Sequence, residues 1–280
     1  LVLRLLDTSN SIYSLERLGM TEDDRQKLEA MIHKPYGMIL STGPTGSGKS
    51  TSLYSILKVI NQPDINIITV EDPVEYRIEK IRQVQLNRKA GMTFASGLRS
   101  ILRQDPDVIM VGEIRDAETA NIAVQAALTG HRVMSTLHTN DAAGAMTRLV
   151  DMGVEPFLVA TVMLASFAQR LVRRVCTQCK APYHPTGEML MSYWKLDEVR
   201  NAELMQGTGC FNCMHTGYKG RTGVYEVLVI DETIQNLILQ RKSSHDITRA
   251  AKKSGNFTTL KQNALNKVIK GITSLEEAAS

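Results

Sequence analysis

Short runs of apolar residues alternate with segments of helical periodicity along the first half of the chain. Uninterrupted apolar runs of this length are typical of strands that are buried on both faces of a sheet. Four runs predict strands, at Gly37–Thr42, Ile65–Val70, Asp107–Val111 and Arg132–Leu137. Helical stretches lie between them, and the clearest spans Asp116 to Leu128. The alternation predicts an α/β fold whose parallel sheet is covered by helices on both sides.

The remainder of the chain has a different pattern. Ahead of the first strand, Thr21 provides a capping signal for a helix that continues to Ile32. The stretch from Glu155 to Val175 is predicted to be mainly helical, which would place the basic cluster 170–174 on a helix face. An extended segment, Gly223–Val229, and further helices follow.

Polar side chains stand where the predicted strands end. Glu71 closes the second strand, Glu113 follows the third, and His138 follows the fourth. Because ligands of parallel sheets gather at the carboxyl ends of the strands, we expect these three side chains to converge at one edge. His131 precedes the fourth strand and is expected at the opposite end, where a structural and a functional role stay equally open.

The first predicted strand runs into a complete phosphate-binding loop of the Gly-x-x-x-x-Gly-Lys-Ser type. In this pattern, backbone N–H groups curl around a phosphate, the Lys49 side chain contacts the β and γ oxygens, and the Ser50 hydroxyl ligates Mg²⁺. The helix that follows directs its positive end at the phosphates. The predicted nucleotide-binding residues are Gly43, Pro44, Thr45, Gly46, Ser47, Gly48, Lys49, Ser50 and Thr51.

The two acidic strand ends are the candidates for the chemistry of hydrolysis. Glu113 can polarise the attacking water or hold Mg²⁺ through water, and Glu71 is the second candidate for either duty. A purely structural role as a capping or interface residue stays open for each. His138 is placed to sense the γ-phosphate.

Composition and charge narrow the class of protein. Hydrophobic residues make up 43% and charged residues 22% of the 280 residues, which is typical of a folded globular chain. The formal charge of +4 is spread out, and we therefore expect no nucleic-acid partner. No run approaches the roughly twenty apolar residues that a membrane span needs. The strand-like opening at Leu1 suggests that the chain continues upstream in a longer protein.

All four cysteines occur in two Cys-x-x-Cys pairs. In an ATP-using, cytosolic protein such pairs indicate a metal before they indicate disulfides. Two pairs suit a tetrahedral structural zinc, although free thiols or a redox pair remain alternatives. The predicted ligands are Cys176, Cys179, Cys210 and Cys213.

With these residues assembled, the chain resembles the secretion ATPase superfamily, in particular the type II secretion and type IV pilus assembly branch. Four motifs of that family occur in order, together with the cysteine pairs and the ending Gly271–Glu277, so the likeness covers nearly the whole chain. The motifs are the phosphate loop Gly43–Ser50, the Asp box Ile68–Glu75, the atypical Walker B segment Leu102–Asp116 and the His box Leu128–Asp141.

The resemblance implies a homohexameric cytoplasmic ATPase, peripheral to the inner membrane through platform proteins, that drives pilus or pseudopilus assembly. Nucleotide would bind between the core domain of a subunit and its preceding domain, with arginines reaching the phosphates. The matching positions are Arg4, Arg99, Arg103 and Arg221. An ATP-binding adaptor with little turnover and a nucleic-acid motor with the same core are the rival functions.

The predicted architecture is a RecA-like P-loop core, a zinc-binding element and a helical C-terminal region. The division we expect is a remnant of a preceding domain at 1–12, the core at 13–165, the tetracysteine subdomain at 166–225 and the helical subdomain at 226–280.

Overall fold

The main sheet has seven strands in the spatial order β3-β2-β4-β5-β1-β6-β9, in a computed structural model that describes residues 14–184, 199 and 202–279. A separate two-stranded sheet pairs β7 with β8. The strands are β1 Gly37–Thr42, β2 Ile67–Glu71, β3 Arg82–Gln85, β4 Val108–Val111, β5 Arg132–Leu137, β6 Met163–Val175, β7 Lys180–Pro182, β8 Met205–Gly207 and β9 Tyr218–Val229.

Helices cover both faces of the main sheet and continue to Ala279, the last residue that the structure describes. They are α1 Glu22–Ile32, α2 Lys49–Ile60, α3 Phe94–Ile101, α4 Ala117–Leu128, α5 Gly144–Asp151, α6 Pro156–Val162, α7 Glu232–Leu239, α8 Ser244–Lys253, α9 Leu260–Ile269 and α10 Leu275–Ala279. The predicted cap of α1 is present, because the Thr21 Oγ1 accepts a hydrogen bond from the Asp24 N–H.

The central strands are buried on both faces, as their continuous apolar sequences predict. Alternate residues of a strand point to opposite faces, and in β4 they join two different cores. Val108 and Met110 pack with α1 and α2, whereas Ile109 and Val111 pack with α3 and α4. The predicted parallel α/β sheet is therefore confirmed: β1, β2, β4 and β5 run parallel to their neighbours, as do β3 and β6 where they pair with β2 and β1.

The prediction of helix through Val175 is wrong beyond Val162. Met163 to Val175 form β6, which pairs parallel with β1 and antiparallel with β9. Leu, Ala and Arg favour a helix in isolation, but here tertiary pairing outweighs propensity. Phe167 and Ala168 are both fully buried, on opposite faces of the sheet, and a helix at the edge of the core could not bury both in this way. The basic cluster 170–174 consequently lies on a strand.

Two of the predicted domain boundaries fall inside strands of the main sheet. Position 165 lies in β6 and position 225 lies in β9. The division at 1–12, 13–165, 166–225 and 226–280 stays a prediction. A boundary at either of these two positions would divide a strand of the main sheet. The C-terminal end of β6 precedes the first cysteine pair, and the N-terminal end of β9 follows the second pair.

Candidate nucleotide-binding and metal sites

The phosphate loop connects β1 to α2, and its backbone is pressed against β6. Gly48 caps α2 in a left-handed conformation with φ of 90°, and Gly43 also has a positive φ, 144°. A Cβ atom on Gly43 would lie 2.6 Å from the Gln169 carbonyl oxygen, so the loop could not pass β6 with a side chain there. The Gln169 Nε2 donates a hydrogen bond of 2.6 Å to the Ser47 carbonyl. β6 thus fixes the position of the loop.

The Lys49 ammonium lies within the curl of this loop. It donates hydrogen bonds of 2.9 Å to the carbonyls of Gly43 and Pro44. Burial lowers the pKa of Lys49, the negative charge of Glu113 opposes that shift, and the nearby Arg170 adds to it. Ser50, the next residue, is exposed in the first turn of α2. A cation and a hydroxyl therefore stand side by side at the positive end of a helix, which suits a polyphosphate.

Glu113 and His138 meet at the carboxyl edge of the sheet, as predicted. The His138 Nε2 lies 3.4 Å from the Glu113 Oε2, and the Arg115 Nη2 lies 2.6 Å from the Glu113 Oε1. Glu113 is 13% exposed, whereas His138 and Arg115 are largely open to solvent. The carboxylate consequently faces both the Lys49 charge and the surface, where a water molecule can reach it.

Glu71 lies on the neighbouring strand in a closed environment. Its carboxylate accepts hydrogen bonds from the hydroxyls of Tyr54 and Thr69 and from the Gln83 Nε2. Burial raises the pKa of Glu71, and these three donors oppose the shift. Burial also raises the pKa of Tyr54, and the adjacent Glu71 adds to it. The sequence pattern placed Glu71 beside Glu113 correctly but did not show that neutral donors occupy its oxygens.

Sequence reasoning missed Arg170, which reaches the segment after β5. Its guanidinium donates to the carbonyls of Asn140 and Gln169 at 3.2 Å each. Burial lowers the pKa of Arg170, while the charges of Glu226 and Asp141 oppose the shift. The local sequence gives no signal that Gln169 and Arg170 reach this site. Their positions would follow only from a prediction that β6 is a strand, because the predicted helix gives the two side chains no shared contact.

The predicted arginines lie at several separate positions. Arg99 forms an exposed ion pair with Glu118 at 2.6 Å. Arg103 is exposed in the turn after α3, and Arg221 is exposed on β9 opposite Arg173. Arg4 lies outside the described residues. His131 stands at the start of β5, opposite to the phosphate loop as expected, and its Nδ1 lies 2.9 Å from the Ala126 carbonyl oxygen.

The two cysteine pairs converge beyond the ends of β6 and β9. The four Sγ atoms lie within 4.8 Å of one another, and three of the separations are 3.7, 3.8 and 3.9 Å. The N–H groups of Cys210 and Gly217 donate to the Cys213 sulfur, at 3.2 and 3.3 Å. This arrangement brings together all four predicted ligands across a gap of 30 residues between Cys179 and Cys210.

Comparison with known proteins decides the family. The family described as "Type II/IV secretion system protein" matches residues 1–280, the whole chain. The chain belongs to this family. It is 52% identical over 276 residues to the type II secretion system protein E of Pseudomonas aeruginosa and 51% identical over 277 residues to the type IV pilus assembly ATPase PilB of Thermus thermophilus. Each match covers 99% of this chain but only 54% and 31% of the relative, so the chain spans about half or less of the relatives' length.

Two solved ATPase structures have a similar fold. The pilus retraction motor PilT, determined with bound ADP, is similar with a TM-score of 0.71 and 30% identity, over 97% of this chain and 68% of that one. The Legionella pneumophila ATPase DotB is similar with a TM-score of 0.67 and 27% identity, over 95% and 64%. Within the ranges that the structure describes, no helix of this family member combines the length and apolar character of a membrane span.

Proposed function

We propose that this chain is the ATP-hydrolysing part of a motor that powers pseudopilus assembly in type II secretion or pilus assembly in type IV pilus biogenesis. The observation that carries the proposal is the meeting of Lys49, Glu113 and His138 at one edge of the sheet, with Glu113 close enough to oppose the lowering of the Lys49 pKa. The names of the relatives, a secretion protein E and a pilus assembly ATPase, support a role in secretion or pilus assembly.

Each residue has a distinct part in the proposed reaction. The loop N–H groups and Lys49 bind the β- and γ-phosphates and thereby orient the γ-phosphorus. Glu113 accepts a hydrogen bond from the attacking water and aligns it, and His138 contacts the γ-phosphate from the next strand. The Ser50 hydroxyl, exposed beside Lys49, is a hard oxygen ligand of the kind that Mg²⁺ prefers. Mg²⁺, when bound there, neutralises charge on the phosphate oxygens.

The proposal extends to assembly and location. We infer a homohexamer on the cytoplasmic side, held to the inner membrane through platform proteins. In this ring, Arg4, Arg99, Arg103 and Arg221 supply positive charge to the nucleotide or to the subunit interface. The exposure of the last three on the surface of one subunit supports a role across an interface.

The cysteine cluster is proposed to hold one structural zinc. Four thiolates at about 2.3 Å from a tetrahedral centre lie about 3.8 Å apart, which agrees with the three separations of 3.7, 3.8 and 3.9 Å. Backbone N–H groups directed at the Cys213 sulfur favour the thiolate form that a metal requires. Four sulfur ligands fill the coordination sphere, so the role is structural.

The decisive experiment is ATP turnover and nucleotide binding by the full-length, oligomeric protein with Lys49→Ala. We expect loss of fluorescent-nucleotide binding and of turnover, because Lys49 is the cationic residue of the loop sequence 43–50. Lys58→Ala is the matched control, since Lys58 is exposed at the end of the same helix. Normal turnover by Lys49→Ala would refute the assignment of the site.

The same assay separates the rival functions. An adaptor would bind nucleotide but turn over at a rate that Glu113→Gln does not change. A nucleic-acid motor would be stimulated by single-stranded DNA, which we expect to have no effect. Metal analysis of the purified protein tests the zinc separately, with about one zinc per chain expected. A metal-free protein of unchanged thermal stability would refute the zinc proposal.

A further inference from the structure

The segment that follows β5 is held by side chains from other strands of the sheet. The Thr42 hydroxyl on β1 donates to the Asp141 carbonyl at 3.3 Å, and the Ser166 hydroxyl on β6 donates to the Ala142 carbonyl at 2.7 Å. The Ala142 N–H donates to the Glu226 Oε1 on β9 at 3.0 Å. Strands that are far apart in sequence therefore determine where this segment lies.

Glu226 also contacts the C-terminal helices. Its second oxygen, Oε2, accepts a hydrogen bond of 3.1 Å from the N–H of Leu260, the first residue of α9. The side chain is only 4% exposed. Burial raises the pKa of Glu226, and the N–H groups of Ala142 and Leu260 oppose the shift. Each carboxylate oxygen thus has a backbone donor, one from the segment after β5 and one from the start of α9.

This bridge lies four residues from the proposed site of reaction. His138 and Ala142 belong to the same short segment between β5 and α5, and Ala142 is fully buried. Because Ala142 is held at both its N–H and its carbonyl, it anchors the segment that carries His138 to Glu113. A displacement of Ala142 would move the imidazole relative to the carboxylate.

We infer that Glu226 is a positioning residue for nucleotide hydrolysis, which holds the His138 segment in place against Glu113 and ties it to the start of α9. The inference rests on the proposed function. Glu226 acts through the polypeptide backbone and touches neither substrate nor metal. A motor needs such a connection, since a change near the phosphate must reach the helices that pack on the core.

Glu226→Gln tests the inference in the full-length, oligomeric protein. A glutamine keeps one acceptor oxygen but turns its NH₂ group toward the other N–H donor, so one arm of the bridge is lost. We expect kcat to fall about tenfold or more while the affinity for a fluorescent ATP analogue changes less than twofold, because the phosphate loop is untouched. Hydrogen exchange of residues 138–144 should become faster in the variant.

Asp231→Asn is the matched control. The Asp231 Oδ1 caps α7 by accepting from the Ile234 N–H at 2.9 Å, so this variant also replaces a carboxylate at a helix N-terminus by an amide, without touching the segment after β5. We expect its kcat to stay within twofold of the unmodified protein. A kcat loss equal to that of Glu226→Gln would mean that general destabilisation explains both, and would overturn the inference.

Two further variants separate positioning from a merely structural role. Adding Glu226→Gln to His138→Ala should cause no further loss of kcat, because the bridge acts through His138; multiplicative losses would contradict the inference. If Glu226→Gln does not fold, Ser166→Ala decides, since it removes the other anchor of Ala142, the hydrogen bond to its carbonyl, and should lower kcat by about threefold or more. Unchanged kcat in Ser166→Ala would then refute it. Turnover by the unmodified protein, measured first, reports separately on the proposed function.

Discussion

Two glutamates at the ends of adjacent, hydrogen-bonded strands have opposite surroundings. Glu71 at the end of β2 is 4% exposed and accepts hydrogen bonds from the neutral donors Tyr54, Thr69 and Gln83. Glu113, just beyond β4, pairs with the exposed Arg115 and His138. Both residues satisfy the same sequence pattern of an acid that closes an apolar strand.

The difference shows that position at the sheet edge and availability for chemistry are separate properties. A carboxylate whose oxygens are occupied by internal donors has little capacity left for a water molecule or a metal. A carboxylate that faces solvent-exposed partners can exchange them when nucleotide binds. We therefore propose that Glu113 aligns the attacking water and that Glu71 has a supporting part, and Glu71 stays a candidate for either duty.

Substitution of the two acids gives the largest expected effect. Glu113→Gln should lower kcat by about a hundredfold or more, because general-base alignment is worth about 10² to 10⁴, with nucleotide affinity retained. Glu71→Gln should lower kcat by about tenfold or less, since Tyr54 can turn its hydroxyl to accept from the new amide. Steady-state turnover and a fluorescent-nucleotide titration measure both. An equal loss in the two variants would show that Glu71 shares the chemistry.

Removal of one donor to Glu71 should reduce stability. Tyr54→Phe deletes the hydroxyl that donates to the buried carboxylate, and we expect the free energy of unfolding to fall by about 1–3 kcal/mol. Denaturant titration measures the change. Tyr36→Phe is the control, because Tyr36 is exposed and its hydroxyl should contribute little. An unchanged stability in Tyr54→Phe would show that this bond does not hold Glu71 in place.

The smallest effect is a pH dependence of stability. The pKa of Glu71 in the folded protein is raised above its ordinary value of about 4.5, chiefly by burial, so the folded state prefers the protonated acid. The contribution of this shift to the free energy of unfolding is fully present below a pH of about 4.5, and it is lost as the pH rises through the pKa of Glu71 in the folded protein. The unmodified protein should therefore lose stability relative to Glu71→Gln as pH rises across that window.

The comparison of the two unfolding curves isolates Glu71, because the other titrating groups are common to both proteins. A gain in relative stability with rising pH would mean that Tyr54, Thr69 and Gln83 stabilise the ionised form more than burial disfavours it. That result would weaken the contrast between the two glutamates.

Local pattern was sufficient for much of the fold and for the phosphate loop. The apolar runs predicted β1 and β5 with their observed bounds and β2 and β4 to within two residues, because strands buried on both faces must be continuously apolar. The glycines and Lys49 lie in one contiguous motif whose conformation is local. The convergence of Glu113 and His138 followed from the rule that parallel strands share one carboxyl edge.

Other features depended on partners distant in the chain. β6 has helix-favouring residues and became a strand only because β1 and β9 flank it, which in turn placed Gln169 against the phosphate loop and Arg170 against the segment after β5. Glu226 lies in the predicted extended segment Gly223–Val229, and only the fold brings its two oxygens to the N–H groups of Ala142 and Leu260.

The amino-acid sequence by itself determined the parallel sheet, the phosphate loop and the identity of the polar residues at the sheet edge. All of these rest on short-range periodicity and on contiguous motifs. Only the tertiary structure decided which glutamate is enclosed and which is open, and which buried carboxylate ties the site to the C-terminal helices. The burial and the hydrogen-bond partners of a side chain depend on contacts between residues that are distant in the sequence. The local spacing of residues does not specify those contacts.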